Sequence, residues 1–337
     1  MRLVIAGYQG TILPTCYTKV DYMKRSYIRD FALNSRSVRV KREDDRVNQM
    51  PVHQQRVTTR CICCGSEELL SSPAILMPFV ADRALGWAPV IIDDSWGLKT
   101  IRSGNAYSIC KTLRCRECEH LFCDIRFTDV EMNALYAGYR GEEYTSLRDH
   151  YEPGYRARNN ALIETISYKS EIEAFLEPHI DDPLTILDWG GDTGLNTPFE
   201  KRRVSLDVFD ISGKTTEAGV RAVTAEQATQ SKYSLIICGQ VLEHIPYPSD
   251  VLFSIQPAMD SNTILYVEVP FEEIMRGDIP DREKSKRHWH EHVNFYSRSS
   301  LTALLIRCGF TVLESNVFAT DVAGSEVQVL QAACRLS

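Results

Sequence analysis

Two hydrophobic periods alternate along the C-terminal half of the chain. Over Asn159 to Leu176 the apolar positions Leu162, Ile166, Ile172, Phe175 and Leu176 recur at roughly helical spacing. They lead into Leu184 to Asp188, a short apolar run that reads as a buried strand. The same alternation predicts strands at Val204 to Asp210, Tyr233 to Cys238 and Thr263 to Val269, with a short helix at Thr216 to Ala222 and a longer one at Pro248 to Ala258. Strands alternating with helices imply an α/β fold with a doubly wound, mainly parallel sheet. Near the end, Leu301, Leu304, Leu305 and Cys308 mark one helical face, Ser297 or Ser299 caps its start and Gly309 supplies its stop. Phe310 to Glu314 and Val327 to Ala332 suit a closing pair of strands.

Upstream the pattern is shorter in range. Residues 58–128 hold brief β-type runs, including Ala88 to Ile92 and Ala106 to Cys110, around two C-x-x-C pairs, and read as a small separate module. Residues 129–160 form a connector carrying Tyr136, Tyr139, Tyr144, Tyr151 and Tyr155, aromatics suited to packing the two modules together or to lining a substrate cleft. Residues 161–337 form the larger domain. Residues 1–57 show no sustained periodicity and contain the basic tract Arg36 to Arg42, so a loose tail is expected, either solvated or holding nucleic acid or an acidic membrane surface. Clear domain signals begin just after Met50, which raises a natural start there; N-terminal sequencing of native protein tests it.

Composition narrows the class. The chain has 337 residues, 44% hydrophobic and 25% charged, as an ordinary globular protein large enough for two domains does. Its net charge of −7 conceals an asymmetry: residues 1–60 carry 12 Lys and Arg against 5 Asp and Glu, so the remainder carries −14. That body repels bare nucleic acid. There is no apolar run of the roughly 18 residues that cross a bilayer and no cleavable-signal pattern, and a cytoplasmic location is expected. Eleven cysteines in a chain of this length fit reduced thiols and a metal better than a disulfide scaffold.

The chemistry concentrates after the first strand of the larger domain. Ile186 to Gly194 reads as a strand ending in an acidic glycine turn, in which Gly190 and Gly191 let backbone pass close to a ligand and Gly194 permits close helix and strand packing. The spacing, with Asp188 ahead of the glycines, is D-x-G-x-x-x-G, not the G-x-G-x-x-G of dinucleotide binders. The next strand ends in Asp210, about 20 residues on, where a carboxylate lies across the cofactor cleft of a βαβ unit. A third motif follows the strand ending at Cys238: Gly239-Gln240-Val241-Leu242-Glu243-His244-Ile245-Pro246.

In this order and spacing the three motifs resemble those of the class I, Rossmann-like S-adenosylmethionine-dependent methyltransferases. The resemblance implies that the glycine turn holds the methionine and ribose part of S-adenosyl-L-methionine and that Asp210 accepts from the ribose hydroxyls. It makes Asp188, Gly190, Gly191, Gly194, Asp210, Gln240 and Glu243 the cofactor-binding set. Glu243 and His244 can also orient the loop and cap the helix, bind a metal or move a proton.

An insertion after the fifth strand carries Arg282, Lys284, Lys286 and Arg287 and ends in His288-Trp289-His290-Glu291-His292-Val293-Asn294-Phe295-Tyr296-Ser297. Three His in five residues admit a metal, although no nearby Asp or Cys completes a clear set. The segment resembles the E-H-x-N-F-x-S signature of methyltransferases acting in cell-surface saccharide and small-molecule pathways. That likeness makes His292 the first candidate catalytic base and His290 the second, with a loop-fixing role as the alternative.

In the first module, Cys61-Ile62-Cys63-Cys64 and Cys115-Arg116-Glu117-Cys118 form two knuckles able to set Cys61, Cys64, Cys115 and Cys118 around a structural Zn2+, with Cys63, His120 and Cys123 as alternative ligands and free buried thiols as the other reading. Some sugar methyltransferases carry a similar cysteine-rich N-terminal zinc domain. The expected protein is a Rossmann-like methyltransferase with a small N-terminal zinc-binding module, acting on a small-molecule acceptor such as a nucleotide-linked or lipid-linked sugar. The rivals are an NAD-dependent oxidoreductase and a non-catalytic zinc-containing binding protein.

Overall fold

The computed structural model of the chain describes residues 55–97, 102–162, 166, 168–322 and 325–337. The basic tract and the start at Met50 lie outside them. In chain order the N-terminal region contributes β1 (Leu69–Leu76), α1 (Pro78–Leu85), β2 (Val90–Ile92), β3 (Gly104–Ala106), β4 (Ile109–Cys115) and β5 (Leu121–Cys123). The Tyr-rich connector forms α2 (Asp129–Tyr136), α3 (Glu142–Tyr151) and α4 (Tyr155–Leu162). Then come α5 (Lys169–Leu176), β6 (Leu184–Trp189), β7 (Arg203–Phe209), β8 (Arg221–Ala222), α6 (Ala225–Ala228), β9 (Leu235–Gly239), α7 (Pro248–Ile255) and β10 (Ile264–Pro270). The insertion forms α8 (Arg282–Ser285), β11 (His288–Trp289) and β12 (Asn294–Phe295), followed by α9 (Arg298–Arg307), β13 (Phe310–Val322) and β14 (Ser325–Leu336). No helix among the described residues is long and apolar enough to cross a membrane.

The main sheet has seven strands in the order β13-β14-β10-β9-β6-β7-β8. Strands β6 to β10 run parallel, and β14 and β13 close the edge antiparallel. Because helices cover both faces, its inner strands can be apolar at every position. Leu184 and Ile186 of β6 face Ile172, Phe175 and Leu176 of α5, whereas Leu187 and Trp189 face Leu252 and Ile255 of α7 and Leu301, Leu304 and Leu305 of α9. Each such side chain, once fully buried, contributes about 1.5–3 kcal/mol. Strand order reverses at β6, whose neighbours are β7 and β9, and that reversal opens a crevice at the carboxyl ends of these strands.

Most expected elements are present, with three differences. Thr216 to Ala222 forms no helix: Gly219 sits at φ +82°, and Arg221–Ala222 pairs in parallel with Asp207 and Val208 of β7. Threonines at 215 and 216 and a left-handed glycine both disfavour the helix. The helical pattern over Asn159 to Leu176 is carried by α4 and α5, with Ile163 to Thr165 and Ser167 outside the described residues. The closing strands extend well past their expected ends into a long hairpin.

The N-terminal region builds a second sheet, in the order β11-β1-β4-β5-β12. Two of its five strands come from the insertion: β11 joins β1 in parallel, and β12 joins β5 antiparallel. The cysteine knuckles also bury Cys61, Cys63, Cys115 and Cys118 in the same core as α7 and α9.

Candidate active site

At the tip of β6 the chain needs its glycines. Gly190 and Gly194 have φ of +86° and +83°, and a Cβ on Gly190 would lie 2.4 Å from Val241 Cγ2. On Gly191 it would lie 2.4 Å from Asp188 Cγ, so neither position tolerates a side chain. Asp188 is 7% exposed, accepts from Thr197 Oγ1 at 2.5 Å, and has its carboxyl pushed up to about 6 by burial. It therefore braces the turn from beneath. Asp210, at the end of β7, accepts from the Asp192 backbone at 2.9 Å and the Ser212 backbone at 2.7 Å. Beside it opens a cavity of about 230 Å³ lined by Asp192, Val208, Asp210, Ala222, Val223 and Gln227, among others. Such a groove, with apolar walls and a carboxylate at one end, suits a flat heterocycle joined to a hydroxylated ring. Lys214 pairs with Asp192 at 2.9 Å on its rim.

The loop after β9 locks onto this turn. Val241 packs against Gly190, while Gln240, at φ +55°, donates to Glu268 Oε1 at 2.7 Å. Glu268 is 2% exposed and also accepts from Tyr168 at 2.9 Å and Tyr266 at 2.6 Å; burial raises its pKa against those bonds. Glu243 is not among the residues that line the groove and lies in a second group of side chains.

That group is assembled by the E-H-V-N-F-Y-S segment, which clasps the loop. Glu243 O accepts from the backbones of Val293 at 2.8 Å and Asn294 at 3.1 Å. Asn294 Nδ2 donates to Leu242 O at 2.9 Å and Ile245 O at 2.6 Å, and Tyr296 to Leu242 O at 3.1 Å. The clasp brings His292 against His244, ring centroids 4.6 Å apart, and places ligand atoms of Glu243, His244 and His292 within 4.8 Å of one another.

Electrostatics differ sharply within the group. Burial pushes Glu243 up to about 8 and, aided by the charge of His292, drives His244 down to about 3. Burial also opposes a charged His292, yet its hydrogen bond to Glu272 Oε1, at 3.0 Å from Nδ1, and the charges of Glu243, Glu272 and Glu291 raise it overall. Tyr136 meets His244 Nδ1 at 2.8 Å. His290 is placed differently: its Nε2 lies 2.6 Å from Glu152 Oε1, in a buried network where Arg148 Nη1 donates to both oxygens of Glu291 at 3.0 Å. Burial disfavours the Glu291 charge, but Arg148 and three neighbouring histidines hold it down to about 2.

In the cysteine knuckles, the Sγ atoms of Cys61 and Cys118, and of Cys64 and Cys115, are 3.5 Å apart, and all four lie within 4.8 Å. Four thiolates about 2.3 Å from a tetrahedral Zn2+ sit roughly 3.8 Å apart, so the set fits that ion. Hydrogen bonds from Cys115 and Cys118 drive the Cys61 thiol down. His120 stands apart from the four, stacked on Phe122, fully buried and lowered to about 4 by burial. Cys123 groups instead with Cys110 and Asp124.

Several of these residues escape sequence reasoning. Glu272, Glu268 and Arg148 join partners 20 to 143 positions away, and no local pattern announces them. Thr224 and Gln227 do carry a signal, the capping-box spacing that opens α6 at the groove.

A family model described as a methyltransferase domain matches residues 159–315. Among solved structures, the glycopeptide N-methyltransferase MtfA complexed with S-adenosyl-L-methionine is 11% identical, covering 50% of this chain and 94% of that one with a TM-score of 0.39. The 1,6-didemethyltoxoflavin-N1-methyltransferase of Burkholderia thailandensis, with bound 1,6-didemethyltoxoflavin and S-adenosylhomocysteine, is 18% identical, covering 58% and 90% with a TM-score of 0.40. A SAM-dependent methyltransferase from Anabaena variabilis is 13% identical, covering 54% and 93% with a TM-score of 0.37. The search of curated proteins found no match.

Proposed function

We propose that this S-adenosylmethionine-dependent methyltransferase acts on a small molecule, a nucleotide-linked or lipid-linked sugar, docked between the carboxyl edge of the main sheet and the clasp at residues 288–297. The observation that carries the reading is the contact of Val241 with Gly190, which ties the glycine turn to the loop bearing Glu243 and His244. Cofactor and acceptor sites are thereby held on one rigid unit.

Asp210 is assigned to the ribose hydroxyls, the glycine turn to the methionine part, and Val208, Ala222 and Val223 to the adenine faces. S-adenosylmethionine supplies an already activated methyl group. The chain's task is to hold the acceptor atom in line at about 3 Å and exclude water, and such positioning contributes about 7 kcal/mol or more. An acceptor hydroxyl must also lose its proton. His292, its ring fixed by Glu272, is the residue placed to promote that loss, whereas His290 is committed to Glu152. Of the insertion's basic residues, Arg282 and Lys284 are paired with Glu119 and Asp281 and Lys286 lies over the Phe295 ring; exposed Arg287 is assigned to an acceptor phosphate. Cys61, Cys64, Cys115 and Cys118 are assigned to a structural Zn2+ that folds the 58–128 module onto the 161–337 domain.

The test is incubation of zinc-replete protein with methyl-labelled cofactor and fractionated cell metabolites, with products identified by mass spectrometry. A labelled sugar conjugate supports the reading; label confined to protein, nucleic acid or phosphate-free metabolites contradicts it.

A further inference from the structure

We propose that Glu243, His244 and His292 form a second metal site, for a divalent transition cation, on the acceptor side of the cofactor groove. What the cation does there rests on the methyl-transfer reading; the site itself rests on geometry.

The three side chains come from two segments far apart in sequence and converge to within 4.8 Å. Glu243 is 2% exposed, and neither of its carboxylate oxygens has a hydrogen-bond partner. Buried polar atoms are nearly always partnered, and a buried carboxylate with both oxygens bare calls for a ligand. The two histidines are prepared as ligands. His292 Nδ1 donates to Glu272 Oε1 at 3.0 Å, the carboxylate–histidine pairing that turns the Nε2 lone pair toward a metal. His244 Nδ1 lies 2.8 Å from the Tyr136 hydroxyl and 3.3 Å from the Glu291 carbonyl, both able to accept a proton from it, and the tautomer protonated at Nδ1 leaves Nε2 bare, 3.6 Å from Glu243 Oε1. Nitrogen and oxygen ligands about 2.0–2.2 Å from one ion sit roughly 3.0–3.5 Å apart, so a slight contraction completes the site.

Two imidazoles and one carboxylate select Mn2+, Fe2+, Co2+ or Zn2+ over Ca2+ and Mg2+, and three protein ligands leave positions open for acceptor oxygens. In the loaded protein His292 serves as a ligand. An acceptor hydroxyl bound to the cation would release its proton to a water held at another open position of the cation; the oxygen pair so freed would form the bond to the methyl carbon, and the carbon–sulfur pair would stay on sulfur. This site differs from the cysteine set, whose four sulfurs favour softer ions.

The test is titration of full-length protein, its zinc content fixed beforehand, with Mn2+ while free Mn2+ is followed by electron paramagnetic resonance. One saturable site is expected. His292→Asn should weaken it ~100-fold and Glu272→Gln ~10-fold or more, with zinc content and S-adenosylhomocysteine affinity unchanged in both as the check on folding. Absence of saturable binding up to millimolar Mn2+, or equal affinity in wild type and both folded variants, overturns the site. Failure of the wild-type protein to bind S-adenosylhomocysteine overturns the methyl-transfer reading instead, which keeps the two failures apart.

Discussion

Arg126 donates from Nη1 to Asn294 Oδ1 at 2.9 Å, with each residue only about 1% exposed. The same guanidinium donates to Pro246 O at 2.8 Å, so the N-terminal sheet, the clasp and the loop after β9 meet at one buried amide. Asn294→Ala leaves the Leu242 and Ile245 carbonyls and a guanidinium nitrogen short of partners. The expected cost is about 3 kcal/mol or more in denaturant unfolding. Turnover should fall further than S-adenosylhomocysteine affinity, because the clasp bears His292 itself and reaches the glycine turn only through Val241; equal losses in both contradict this.

Arg148 and Glu291 tie the connector to the clasp, with side chains 9% and 11% exposed. Arg148→Met strands the Glu291 charge in a buried site, and the expected loss is about 3–5 kcal/mol. Chemical denaturation of the variant near neutral pH measures it. A loss below ~1 kcal/mol would show the pair to be dispensable.

Asp188 predicts a pH effect of definite sign. Its folded pKa of about 6 lies above the ordinary 3.8, so between these values the folded state binds more protons than the unfolded one. Stability therefore falls as pH rises through about 4 to 6 and is level above, by at most about 3 kcal/mol from this group. Thermal unfolding of Asp188→Asn against wild type isolates the effect: the variant should gain relative to wild type from pH 4 to 7. A difference independent of pH contradicts it.

Much of the fold was legible because its inner strands, apolar on both faces and bounded by turn residues, have few alternatives. The runs Leu184 to Asp188 and Tyr233 to Cys238 emerge from pattern alone and overlap β6 and β9, and the Ser297 cap and Gly309 stop bound α9 where local chemistry dictates. Thr216 to Ala222 misled because tertiary pairing with β7, with Gly219 left-handed, outweighs a short apolar spacing. The exchange of β11 and β12 into the N-terminal sheet leaves no local trace; two-residue strands carry no period. At the site, the glycines and Asp210 were readable from spacing, whereas Glu272 behind His292 and Arg148 against Glu291 are long-range partners visible only in the fold.

Metal removal should unfold the knuckles. At least one tightly held zinc per chain is expected by elemental analysis, and strong chelation or Cys118→Ser should lower the thermal midpoint by ~10 °C or more, since binding energy at such a site is folding energy. Because Cys61 and Cys118 share a core with α7 and α9, the main domain should soften too. Zinc-free protein of unchanged stability contradicts the assignment.

The most direct measurement is calorimetric titration of zinc-replete protein with S-adenosylhomocysteine. One molecule should bind per chain, with Asp210→Ala weakening it ~10-fold to ~100-fold, as loss of a charge-assisted bond to a ribose hydroxyl requires. No binding heat at millimolar ligand in a properly folded sample, or equal affinity in the Asp210 variant, contradicts the placement of the cofactor at the carboxyl edge of β6 and β7.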